Sequence, residues 1–140
     1  MDLIPIGEAA RMLGANASAL RYYEERGLVR PTARRGGRRM YGTEELRRLA
    51  FVLLIQRLGL GLDTAAAVLD EPSQRWREVV ERQIGVLTEL IARAQGAQKF
   101  LAHALDCPAE HPVDECPVMI ETLDDLLAGV SLDQLAARHA

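Results

Sequence analysis

The sequence predicts a mainly α-helical chain in three parts: a small basic helix-turn-helix head carrying a β-hairpin, one long coiled-coil helix, and a cysteine-bearing loop followed by short helices. Three observations predict it. Apolar residues make up 49% of the 140, with only 4% aromatic, and Leu, Ala and Val dominate them, a mix that leans helical. Apolar residues recur at helical steps along most of the chain, and the longest run, from about Trp76 to Leu105, follows a seven-residue repeat. Charge is divided unevenly: residues 1–60 hold eleven arginines against six acids, and residues 61–140 hold six basic against fourteen acidic residues. A basic head on an acidic body suits a protein that grips a polyanion better than it suits a uniform enzyme surface.

The first helix is expected over Ile4 to Gly14, with Pro5 at its start, Ile6, Ala9, Ala10 and Leu13 on its apolar face and Gly14 as its stop. Asn16 or Ser18 can cap the second helix, in which Leu20, Tyr23 and Leu28 face a core and Arg21, Tyr22, Glu25 and Arg26 face solvent. Gly27 stops it and Pro31 prevents it from resuming. Two short helices joined by a glycine-containing turn form the helix-turn-helix unit, whose second helix enters the DNA major groove. Arg34, Arg35, Arg38 and Arg39 then surround Gly36-Gly37, a pair that predicts a tight hairpin studded with phosphate-gripping side chains. Thr43, with Glu44 and Glu45, reads as the capped start of a third helix whose apolar face is Leu46, Leu49, Ala50, Leu53, Leu54 and Leu58. A fourth helix runs from about Leu62 to Leu69, before Pro72.

In the long helix Val80, Ile84, Leu87, Ile91, Ala94, Gln98, Leu101 and Leu105 alternate steps of four and three, the seam of a coiled coil. About thirty residues span roughly 45 Å, more than so small a chain can cover, so the seam predicts pairing with a second copy. Residues 106–117 hold three prolines and both cysteines, and read as a loop. Two thiols on one loop suggest a soft-metal site or a redox pair. His103, Cys107, His111 and Cys116 could together make a four-ligand set for tetrahedral Zn(II), although position c of the heptad points His103 outward. A reversible disulfide and two idle thiols stay open as alternatives. An amphipathic segment around Met119, Ile120, Leu123, Leu126 and Leu127 follows, then a tail helix opened by Ser131 and ending at Ala140.

With these residues in view, the chain resembles the MerR family of bacterial transcription regulators over nearly its whole length. Leu20 to Pro31, Leu-Arg-Tyr-Tyr-Glu-Glu-Arg-Gly-Leu-Val-Arg-Pro, carries the resemblance, with Arg39-Met40-Tyr41 in the hairpin and Leu58-Gly59-Leu60. It implies a winged helix-turn-helix domain over residues 1–72, an antiparallel coiled-coil dimerisation helix over 73–106, and an effector-binding loop with C-terminal helices over 107–140. It implies a homodimer on promoter double-stranded DNA, shared with RNA polymerase, that activates by distorting and untwisting the duplex when its effector is bound. By position Arg21 and Tyr22 of the second helix, and Arg39 and Tyr41 of the wing, match family residues that hold bases or phosphates, with Ser18 and Arg38 as further contacts. Arg38 stands where an aromatic is common in the family.

The segment Cys107-Pro108 through Asp114-Glu115-Cys116-Pro117 resembles the metal-binding loop of the copper-responsive CueR group and its mercury, zinc and lead relatives. In that group both loop cysteines ligate the metal, and sensors of divalent ions add a partner's cysteine at the start of the long helix. Ser73 and its neighbours occupy that region here, which favours Cu(I), Ag(I) or Au(I) held by two thiolates. The eight residues between the cysteines resemble divalent sensors instead, and His111 could supply an extra ligand, so Zn(II) and Hg(II) remain alternatives. A response to an organic ligand or an oxidant, with the cysteines redox-active or incidental, is the rival within the family. The iron–sulfur branch, with four clustered cysteines, does not match the count of two.

No nucleophile–base pair or phosphate loop supports an enzyme, and the histidines at 103, 111 and 139 are scattered. No apolar run approaches the roughly 20 residues that span a bilayer, and no leader pattern opens the chain, so no membrane partner and a cytoplasmic location are expected.

Overall fold

The computed structural model describes residues 2–138; the expected end of the tail helix, His139 and Ala140, lies outside them. The chain is mainly helical and divides into two compact units, Met1–Arg82 and Gln83–Ala140.

In the first unit β1 (Ile4–Pro5) leads into α1 (Ile6–Leu13), followed by α2 (Ala17–Glu25), β2 (Ala33–Arg35), β3 (Arg38–Tyr41), α3 (Thr43–Arg57) and α4 (Leu62–Asp70). The three strands form an antiparallel sheet in the order β1-β3-β2. The hairpin closes as Gly36 and Gly37 adopt φ of 56° and 77°, the pair of left-handed conformations that a two-residue turn needs to match strand twist. β1 departs from expectation: Ile4 and Pro5 pair with Tyr41 and Met40 before the helix starts. Proline fits there because β1 is an edge strand, where a missing N–H costs no ladder bond.

Ala9, Ala10, Leu20, Tyr23, Leu28, Val29, Tyr41, Leu46, Leu49, Val52, Ile55 and Ala65 make the core of this unit, with Ile6 and Leu13 half-buried against it. The faces expected for α1 and α2 are those observed. That of α3 is not: Val52 and Ile55 are buried, whereas Ala50, Leu54 and Leu58 are exposed. The helix is apolar on several sides, and packing against both α1 and α4 selects which leucines go in. Its cap also sits one residue earlier than expected. Gly42 is the N-cap, its N–H donating to Thr32 Oγ1 (2.9 Å) and Glu45 Oε2 (3.2 Å), while Thr43 is the first helical residue.

α5 (Ser73–Asp106) is a continuous helix of 34 residues and contributes to both units. None of its residues is buried, and along the seam only Val80 is even half-covered. Ile84, Ile91, Leu101 and Leu105 all stand in solvent in the single chain.

The second unit adds α6 (Pro112–Glu115), α7 (Pro117–Leu127) and α8 (Leu132–Arg138). The proline-rich loop thus contains a turn of helix, started by Pro112 at a position that needs no N–H. Ser131 and Gln134 cap α8 reciprocally, each side chain accepting the other's backbone N–H at 3.1 Å. Arg138 ties α8 to Asp125 of α7 at 2.7 Å.

Candidate nucleic-acid interface and thiol pair

The first site is the exposed side of α2 and the hairpin. Asn16 starts α2 by accepting the N–H of Ala19 at 2.9 Å, and the hydroxyl of Ser18 donates to the same Asn16 Oδ1 at 2.7 Å. Tyr23, on the inner face, donates its hydroxyl to Gln56 of α3 and so fixes the rotation of α2 about its axis. That rotation leaves Arg21 and Tyr22 in solvent. Arg26 lies over the Tyr22 ring, 5.9 Å from its centroid, and donates to the Tyr22 hydroxyl at 3.3 Å, which holds the ring on the surface. Asp63 of α4 stands 3.8 Å from the same guanidinium.

On the hairpin, Arg35 and Arg38 flank the turn and are exposed. Arg39 is half-buried and donates through Nε to Glu24 Oε2, while Arg34 donates to Glu24 Oε1 at 3.3 Å. Tyr41 corrects the sequence expectation. It is fully buried, and its hydroxyl has no hydrogen-bond partner among the described residues. Alternation along β3 puts Arg39 and Tyr41 on one face, and pairing with β1 encloses the tyrosine in the core. Burial first, and then the charge of Glu24, push its hydroxyl above the ordinary tyrosine pKa. Sequence reasoning missed Glu24: its place four residues after Leu20 sets it at the border of the apolar face of α2, whereas Glu25 is exposed.

The second site lies at the end of α5. Cys107 follows the helix and is half-buried; Cys116 is buried and caps α7. The N–H of Met119 above all, then the Cys107 thiol and the N–H of Val118, hold the Cys116 thiol below its ordinary pKa against the opposing effect of burial. Both cysteines line a cavity of about 220 Å³ with Lys99, Phe100, His103 and Met119. His111 does not join them: it is exposed at the head of α6, where its backbone N–H faces Glu115 Oε2 at 3.3 Å. Among the described residues no three His, Cys, Asp or Glu side chains are grouped to hold a metal. The tetrahedral set of His103, Cys107, His111 and Cys116 is therefore not assembled; α6 carries His111 away. Ser73 is exposed in the first turn of α5, its hydroxyl accepting from Arg77 Nε at 3.2 Å.

A helix presenting Arg and Tyr beside an arginine-bearing β-hairpin, both set on a small helical core, defines a winged helix-turn-helix DNA-binding protein. Residues 4–72 match the MerR HTH family regulatory protein model, and residues 46–104 match the MerR, DNA binding model. A HTH-type transcriptional activator SoxR homolog of Chromobacterium violaceum is 36% identical over 101 residues, covering 62% of this chain and 68% of that protein. The mercuric resistance operon regulatory protein of Bacillus cereus is 31% identical over 126 residues, covering 84% and 95%. Among solved structures, HiNmlR, a MerR family regulator lacking the sensor domain and bound to promoter DNA, superposes with a TM-score of 0.55 over 97% of this chain and 99% of that one, at 18% identity, a likeness of fold. The chain belongs to the MerR family of DNA-binding transcriptional regulators. MerR-family regulators bind promoter DNA as homodimers and are generally not enzymes. Among the described residues no helix is long and apolar enough to cross a membrane.

Proposed function

We propose that this regulator binds a promoter as a homodimer and activates transcription by distorting the duplex when a soft metal ion occupies Cys107 and Cys116. Cu(I), Ag(I) and Au(I) are the favoured ions, with Zn(II) and Hg(II) as alternatives. The observation that carries this reading is that two thiols, one of them buried, line the wall of one cavity. Two soft sulfurs fit an ion content with two ligands, whereas Zn(II) wants four. The B. cereus mercuric regulator, alike over most of both chains, supports a metal effector. An ion at this pair would supply a fixed link between the end of α5 and the start of α7.

On the DNA side Ser18, Arg21, Tyr22 and Arg38 are the proposed direct contacts, since all four are exposed on α2 and the wing. Residues 1–72 would form the DNA-binding domain, 73–106 the dimerisation helix and 107–140 the effector segment. RNA polymerase on the same promoter and a cytoplasmic location complete the reading. Replacing Arg21 by Ala should weaken promoter binding by roughly 1–3 kcal/mol, the worth of one bidentate base contact. Equilibrium dialysis of reduced protein against Cu(I), Zn(II) and Hg(II) in turn tests the effector.

One observation favours a second reading, an organic effector. A cavity of about 570 Å³ lies among α5, α7 and α8, lined by Arg93, Phe100, Leu123, Leu126 and Leu135, a size typical of small-molecule sites. A Cys107→Ser, Cys116→Ser double variant that kept its inducer response would select this reading.

A further inference from the structure

The hairpin sets itself an electrostatic problem. Arg34 and Arg39 are direct cross-strand partners, so two guanidinium groups share one face of the β2–β3 ladder, a like-charge pairing that weakens a hairpin. Glu24, in the last turn of α2, takes up both: one carboxylate oxygen accepts from Arg39 and the other from Arg34. The Arg39 and Glu24 side chains are only 25% and 18% exposed, while Arg34 is 55% exposed. Solvent and salt therefore screen the Arg39–Glu24 pair less than an open surface pair.

We propose that Glu24 is the positioning residue of the DNA grip: it clamps the wing to the recognition helix, Arg39 acts as an internal strut, and the wing's phosphate contacts fall to Arg35 and Arg38. This rests on the DNA interface proposed above and adds a division of labour within it. A guanidinium already in a charge-assisted bond to a carboxylate must break that bond before it can take a phosphate. Arg35 and Arg38 face no such cost, since among the described residues neither is in an ion pair. The clamp fixes the distance and angle between the two elements, so both meet the duplex together without further ordering.

The test uses the full-length protein and a duplex that it selects from a random-sequence pool, with affinity measured between about 50 and 200 mM salt. Arg38→Gln should lower the slope of log affinity against log salt by about 1.8 for a dimer, or 0.9 for each phosphate no longer neutralised. Arg39→Gln should weaken binding about tenfold with the wild-type slope retained. Glu24→Gln should weaken it to the same degree, and the double variant should be no worse than either single one, because both remove the same strut. Amide exchange in β2 and β3 of the free protein supplies a readout that needs no DNA: it should quicken in Glu24→Gln and Arg39→Gln but not in Arg38→Gln. A slope that falls in Arg39→Gln as it does in Arg38→Gln would overturn the proposal, as would additive losses or unchanged exchange. If Arg21→Ala and Arg38→Gln both leave affinity untouched, the DNA interface itself is misplaced, and the exchange readout still decides the clamp.

Discussion

Cys107, just past the end of α5, and Cys116, at the start of α7, line the same cavity although eight residues lie between them. Pro112 starts α6 within that interval and the N–H of Cys116 donates to the Pro112 carbonyl at 2.9 Å, a turn of helix between the two cysteines of that cavity. An ion held by two sulfurs loses half its ligands when either is removed. Cys107→Ser and Cys116→Ser should therefore each abolish soft-metal binding in competition with a thiol chelator, and a variant that kept half the affinity would point to a different ligand set.

Tyr41→Phe separates a core role from a DNA-contact role. The hydroxyl is buried without a partner among the described residues, and an unsatisfied buried polar group costs about 1–3 kcal/mol. Its removal should leave the thermal midpoint unchanged or raised, with promoter affinity unaltered. Weaker promoter binding by a fully stable Tyr41→Phe would restore the tyrosine to the interface.

Glu45 gives the head a defined acid limb. The Thr32 hydroxyl, donating at 2.7 Å, is the main cause that holds the Glu45 carboxyl below its ordinary value of 4.5, and Glu45's own N–H and that of Gly42 add to it. A carboxyl whose pKa is lower in the folded than in the unfolded chain stabilises the fold at pH above the unfolded value, and that stability is lost as pH falls through the folded one. Thr32→Val should move the Glu45 titration, followed by NMR, up toward 4.5 and shrink the stability lost below that pH. A titration that stays put would mean that the Thr32 bond does not set it.

Ile91 stands in the middle of the α5 seam and is exposed in the single chain. Ile91→Asp would desolvate a charge wherever that stripe is covered by a second copy. Sedimentation should show monomers with helix content retained, and a persisting dimer would place the subunit contact on another face.

Most of the helices could be read from the sequence because apolar spacing, caps and stops act locally: Asn16, Gly14, Gly27 and Pro72 mark boundaries that the structure keeps. The hairpin was equally legible, since Gly36-Gly37 permits few other turns. What escaped depends on contacts distant in sequence. β1 is two residues long, too short to carry a pattern, and exists only because β3 offers an edge. The buried face of α3 is chosen by α1 and α4 from a helix that offers leucines on several sides. The enclosure of Tyr41 and the service of Glu24 to two wing arginines arise only once the hairpin lies against α2. At the thiol site the two cysteines were legible, but the exclusion of His111 required α6, a turn of helix hidden among prolines.

The proposed function turns on a soft ion held by Cys107 and Cys116. Sulfur X-ray absorption and metal analysis of anaerobically reduced protein loaded with Cu(I) test this most directly. One copper per chain bound by two sulfurs and no nitrogen is the predicted result. Copper that binds equally well to the Cys107→Ser, Cys116→Ser variant, or that carries histidine nitrogen in its shell, would contradict it.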